Sequence, residues 1–219
     1  MRSKTLAGAV LAAFSLMLLL GGGCAASKPV QVALDYSPAR NEPVTASLSS
    51  YKLSIEPFTD ARTSKYLWSN RMIMREGDDA GVWVANAMRA ELENAGAAVE
   101  ALGAGARPSK GTHVSGRVNV LNATQTGWAA GLLGAATAGL SAHIDLNVEV
   151  MTDGIPVLTQ QYSIRRKVHS NPVGVWLVGQ SVTHEVPPAL QKALRELIRS
   201  QVLPDIQRAL SELGGSGEG

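Results

Sequence analysis

The chain has 219 residues, 45% of them hydrophobic and 17% charged, with 20 Lys+Arg against 18 Asp+Glu. Without Arg2 and Lys4 of the N-terminal leader, 18 basic residues balance 18 acidic ones, and no Lys/Arg cluster with interleaved aromatics remains to suggest a nucleic-acid partner. The single cysteine, Cys24, excludes an intrachain disulfide, and the length suffices for one domain with its own core.

Residues 1–23 carry the three parts of an export signal: the cations Arg2 and Lys4, an apolar run over residues 6–20, and the small residues Gly21, Gly22 and Gly23. The apolar run is too short to span a bilayer comfortably as a permanent helix. With Cys24 directly after the glycines, this stretch resembles the lipobox of bacterial lipoproteins, although Leu20 stands four residues before the cysteine rather than three. The resemblance implies cleavage before Cys24 and acyl chains, palmitate among them, on that residue. Each buried methylene contributes about 0.8 kcal/mol, so one chain is marginal and the usual two or three form a long-lived anchor. Ala25 stands where an aspartate would retain the protein at the inner membrane, which implies an outer-membrane, periplasm-facing location.

Residues 24–50, with Pro29, Pro38 and Pro43, read as the lipidated N-terminus and a tether, and residues 51–213 as a single domain. Tyr51, Leu53 and Ile55 alternate with Lys52, Ser54 and Glu56 as a strand, and residues 59–77 read as a loop. Asp78 and Asp79 stand at helix N-cap positions, and Val82, Ala85, Met88, Leu92 and Ala95 recur at helical spacing up to Gly96. A short strand over residues 98–102 follows. Three half-buried strands come next, marked by Val114, Gly116, Val118 and Val120, then by Ile144, Leu146, Val148 and Val150, then by Leu158, Tyr162 and Ile164. Asp153 and Gly154 make the tight turn between the second and third of them. Pro187 and Pro188 open a long helix presenting Leu190, Leu194, Leu197, Ile198 and Val202 on one side, kinked at Pro204, before a flexible tail at 214–219. The expected fold is α+β: a mixed or antiparallel sheet with a three-strand meander and two helices packed on one face.

Two stretches break the pattern. Residues 127–140 are free of charge where a hairpin connection would be short and polar, and Gly127, Gly131 and Ala135 repeat at the spacing that lets helices approach closely. Residues 172–179 are apolar as well. In an antiparallel meander both stretches leave the sheet at the same end, so Trp128, Leu132, Leu133, Val175, Trp176 and Leu177 are the candidate interface, with mutual burial as the alternative. Catalytic patterns are missing: His113, His143, His169 and His184 occur singly, no metal-ligand spacing is present, and neither a Gly-x-Ser-x-Gly turn nor a phosphate loop occurs. Asp60 and Arg62, just past a strand end, are the best polar pair and read as a capping or loop-ordering ion pair; Arg165-Arg166-Lys167 reads as a strand end in solvent.

The element order, Cys24, the run Asp60-Ala61-Arg62-Thr63, the helix ending at Gly96 and the hairpin Val148-Glu149-Val150-Met151-Thr152-Asp153-Gly154 resemble the YajG-like family of bacterial lipoproteins. More distantly the chain is similar to auxiliary lipoproteins of envelope transport systems, and it departs from the YajG pattern by its apolar insertion. The resemblance implies a place and a fold rather than a reaction. The expectation is therefore a non-enzymatic envelope lipoprotein without metal or cofactor, held on the membrane through Cys24, with an envelope protein or a second copy as partner; the alternative is an auxiliary lipid-binding component of a transport system.

Overall fold

The computed structural model describes residues 28–39, 44–69, 71–106, 108–126, 139–168 and 181–215. Its spine is β7 (Thr112–Thr126), a 15-residue strand. Along one edge of β7, three short strands pair in succession, all parallel to it: β2 (Lys52–Ile55), β3 (Thr59–Asp60) and β4 (Tyr66–Trp68). β2 carries β6 (Ala98–Ala101) on its outer side, while β4 carries β5 (Met72–Met74) and then β1 (Val30–Val32). The other edge of β7 pairs with β8 (Gly139–Thr152), and β8 with β9 (Ile155–Val168), both antiparallel. The expected meander is thus present, and the sheet is mixed and open.

Alternation explains the long strands. Ile144, Leu146, Val148 and Val150 of β8 are all at most 1% exposed, as a period of two requires for a face turned to the core. On β7 the phase changes: a bulge between Val118 and Val120 places an extra residue, so Leu121 and Ala123 are buried in place of Val120. Asp153 (φ 51) and Gly154 (φ 80) both occupy the left-handed region, as the tight β8–β9 turn demands.

Helix α1 (Ala80–Asn94) begins at Asp79, whose carboxylate accepts from the Gly81 and Val82 amides at 2.7 and 3.0 Å. Its buried side includes Trp83, Val84, Met88 and Leu92; Val82, expected inside, is 43% exposed, because the inward stripe runs through its neighbours. Helix α2 (Ser181–Leu197) starts ahead of the expected position and contains Pro187 and Pro188. A π-turn, Ile198–Val202, joins it to α3 (Leu203–Gly215). The cause is Pro204, which has no amide to donate to the preceding turn; the widened i→i+5 bond from the Leu203 amide to the Ile198 carbonyl carries the helix past it. α1 and the α2–α3 rod cover one sheet face, and Ile144, Leu146, Leu190, Leu194, Leu197, Ile198, Val202 and Ile206 are all fully buried between the layers.

Two segments differ from the sequence reading. Residues 59–77, expected as a loop, hold β3, β4 and β5, strands of two or three residues that are too short to show alternation. The segment expected to be tether holds β1 and buries Leu34, Ala46 and Leu48 against the domain, so the folded part begins near Val30.

Candidate functional site

Cys24, Trp128, Leu132, Leu133, Val175, Trp176 and Leu177 lie outside the described residues, as does the tail at 216–219. The strands flanking the two apolar stretches are described, and they fix where those stretches attach. Thr126 pairs with Gly139 at the close of β7 and the start of β8, and Leu140 pairs with Val168 at the close of β9. Residues 127–138 and 169–180 therefore leave the same end of the sheet, from adjacent strands.

The Asp60–Arg62 pair is a local ion pair. Arg62 donates from Nε and Nη2 to the two Asp60 carboxylate oxygens at 2.8 and 2.9 Å, its amide donates at 3.2 Å, and Lys65 Nζ donates at 2.7 Å. Burial alone would push the Asp60 carboxyl up, but the bonds from Arg62 and Lys65 outweigh it and hold the group below the ordinary carboxylate range. Nε and Nη2 carry the fork, Nη2 also lies 3.8 Å from the Met74 sulfur, and Nη1 is buried without a hydrogen-bond partner among the described residues; the fork orders the turn between β3 and β4.

Two buried polar clusters were not legible in the sequence. In the first, Glu91 on α1 is fully buried and receives Arg199 Nε at 2.6 Å and the Tyr36 hydroxyl at 2.5 Å. Arg199 also donates to the Ala39 carbonyl, while Gln191 and Arg195 donate to the Ser37 carbonyl at 2.9 and 2.6 Å. The Tyr36 ring meets Trp83 edge-on at 6.5 Å, and the Arg195 guanidinium lies 6.0 Å from its centre. Burial and the hydrogen bond to Glu91 push the Tyr36 phenol well above its ordinary value. The cluster thus clamps residues 34–39 to α1 and to the α2–α3 rod. The one hint in the sequence is Glu91 itself, a charged residue between Met88 and Leu92 on the apolar stripe.

The second cluster is on the opposite sheet face. Ser54 and His113 are cross-strand partners on β2 and β7, with Oγ 3.3 Å from Nδ1, and His113 Nε2 lies 3.5 Å from Glu56 Oε1. The residue types are those of a nucleophilic triad, but the setting differs. Ser54 lies in a strand paired on both sides and donates to the Thr112 carbonyl at 3.2 Å, while Glu56 accepts the Gly105 amide at 3.0 Å. These bonds fix the loop after β6 onto the sheet. Beside it, a cavity of about 410 Å³ is lined by Glu56, Phe58, Asp60 and Asp79, and another of about 520 Å³ by Lys52, Ser54, Glu100 and Lys110. Further along the same open face, Asp145 accepts from Asn119 at 2.9 Å and from Gln161 at 2.8 Å, and the adjoining His143 imidazole is shifted down, first by burial and then by Arg165. Among the described residues, no group of three or more His, Cys, Asp or Glu side chains is placed to hold a metal ion.

The molecule is thus an α+β layer structure with an open, mixed sheet. Its sequence matches no family model and no curated protein, so the YajG-like resemblance extends no further than the phrases that carry it. Among solved structures it is similar to protein XCC0632 of the DUF330 family from Xanthomonas campestris, with a TM-score of 0.51 and 15% identity over 85% of this chain and 97% of that one. Bacterial lipoproteins are among the others. A minor lipoprotein from Acinetobacter baumannii has TM-score 0.40 and 11% identity, covering 76% of this chain and 94% of that one. Rare lipoprotein B from Shewanella oneidensis has TM-score 0.38 and 11% identity, covering 72% and 98%. At 15% identity the likeness to XCC0632 is one of fold.

Proposed function

We propose that this chain is a lipoprotein of the bacterial envelope, anchored to the outer membrane by acyl chains on Cys24. Its domain faces the periplasm and serves a non-enzymatic role, engaging an envelope protein or a second copy of itself in an assembly. The observation that carries this reading is that the strand ends flanking the two apolar stretches lie together at one end of the sheet, Thr126 pairing with Gly139 and Leu140 with Val168. Two uncharged stretches leaving adjacent strands at one end can act as a single apolar surface, and such surfaces mark interaction sites. The polar clusters support a binding role over a catalytic one, since Asp60, Arg62, Ser54, Glu56 and His113 are each engaged in bonds that order the fold. The close packing between α2–α3 and the sheet weighs against an acyl chain held there.

The test is photo-crosslinking in living cells from a reactive residue placed at Trp128 and, separately, at Trp176. A discrete protein adduct, homodimer included, is the expected result. Capture of lipid alone would replace this reading with lipid handling, and capture of nothing at either position would remove the interface.

A further inference from the structure

The backbone register fixes the end of the sheet from which the chain preceding Val30 leaves. One row of Cα partners crosses the sheet: Val30 with Met72, Met72 with Trp68, Trp68 with Ala123, Ala123 with Ala142, and Ala142 with Arg166. β1 runs antiparallel to β7, so the chain preceding Val30 projects from the same end at which β7 and β9 finish. Cys24 is six residues from Val30, a span of at most about 20 Å when fully extended. The opposite end of β7, at Thr112, lies eleven residues from Ala123 and hence about 36 Å away along the strand. A chain anchored at Cys24 therefore keeps the Val30 end close to the bilayer and cannot turn the sheet to present the far end in its place.

The charges at that end fit a membrane. Lys28, Arg71, Arg165 and Lys167 are all exposed, and none is in an ion pair with a described residue. Arg166 in the same row is paired with Glu196 of α2 and stands apart from them. The strand and turn residues level with or beyond the row, at 28–30, 68–72, 123–126, 139–142 and 166–168, contain no Asp or Glu, whereas the far end carries Glu100 and Asp153. We propose that this sheet end rests on the bilayer, with Lys28, Arg71, Arg165 and Lys167 set against anionic phospholipid headgroups. The inference rests on the anchor at Cys24.

The test uses the mature full chain with one added cysteine, either Thr124→Cys beside the row or Lys110→Cys at the far end, each carrying an environment-sensitive fluorophore. Both positions are exposed, and acylation of Cys24 leaves the added thiol as the only one to label. In vesicles of phosphatidylethanolamine and phosphatidylglycerol containing headgroup-quencher lipids, the probe at 124 is expected to be quenched several-fold more than the probe at 110. Replacing phosphatidylglycerol by phosphatidylcholine, or introducing Arg71→Glu, Arg165→Glu and Lys167→Glu together, should lower the quenching at 124 several-fold, each cation contributing about fivefold to association with an anionic surface, while the tether keeps it above that at 110. Equal quenching at both positions, or stronger quenching at 110, overturns the orientation. The intact mass of the same preparations reports acylation of Cys24 separately, so a failed anchor is distinguished from a failed orientation.

Discussion

Replacing Arg199 with alanine tests whether the clamp on the N-terminal arm is structural. Glu91 has no exposed surface, and its two carboxylate oxygens are met by Arg199 at 2.6 Å and Tyr36 at 2.5 Å. Arg199→Ala removes the countercharge and leaves a buried carboxylate with one neutral donor, a change that costs about 3–5 kcal/mol. Domains hold about 5–15 kcal/mol in total, so the loss is a large share, and for a domain of this size it lowers Tm by about 6–20 °C. Replacing both partners with apolar side chains of similar volume, Glu91→Met with Arg199→Met, should cost less than Arg199→Ala alone, because no unpaired charge remains. Denaturant unfolding of the wild type, Arg199→Ala, Glu91→Met, Arg199→Met and the double Met variant reads these values, and limited proteolysis reads release of residues 34–39. A cost below about 1 kcal/mol for Arg199→Ala, or a double variant as unstable as the sum of its single changes, would refute the reasoning.

Asp60→Asn leaves Arg62, whose side chain is 4% exposed, without its countercharge and should cost about 3 kcal/mol by the same denaturation assay. Since the folded Asp60 carboxyl sits below its unfolded value, its stabilisation is present above about pH 4 and is lost as pH falls further; the variant should show a shallower acid loss. At the alkaline side, Tyr36 and Tyr162 are both raised, Tyr36 by burial and Glu91 and Tyr162 by burial and Asp205, so their contribution is complete below about pH 10 and disappears above it. Tyr36→Phe with Tyr162→Phe should flatten stability against pH in that window, and an unchanged slope would contradict the assignment. Gly81→Ala places a methyl against the Phe58 carbonyl where α1 crosses the sheet, and the overpacking should cost about 3 kcal/mol; a neutral result in thermal unfolding would mean that the helix start shifts freely.

Elements with a strong period were readable from the residues. β8 alternates without fault from Ile144 to Val150, Asp79 caps α1, and Asp153 with Gly154 turns β8 into β9. What stayed hidden depends on contacts distant in sequence. β1, β3, β4 and β5 are each two or three residues long, too short to show alternation; β4 and β5 pair with each other across a short turn, but β3 and β4 join the sheet through β7, and β1 joins through β5, partners distant in sequence. The bulge after Val118 moved Leu121 and Ala123 inward for a similar reason, since it is set by register with β8. The Glu91–Arg199 pair joins residues 108 positions apart, so only the oddity of a glutamate on an apolar stripe hinted at it. The shared exit of the two apolar stretches was inferable because meander topology alone dictates it, and the paired ends at Gly139, Leu140 and Val168 agree.

Lipidation at Cys24 underlies both the proposed anchor and the proposed orientation. Expression of the full chain in a Gram-negative host, followed by mass analysis of the N-terminal peptide and membrane fractionation, tests it directly. The expected result is a mature chain starting at Cys24 with a diacylglyceryl and an amide-linked acyl chain, recovered in outer membranes, and a Cys24→Ala variant lost from them. A mature chain that starts elsewhere without acyl groups, or a Cys24→Ala variant that stays equally membrane-bound, would contradict it.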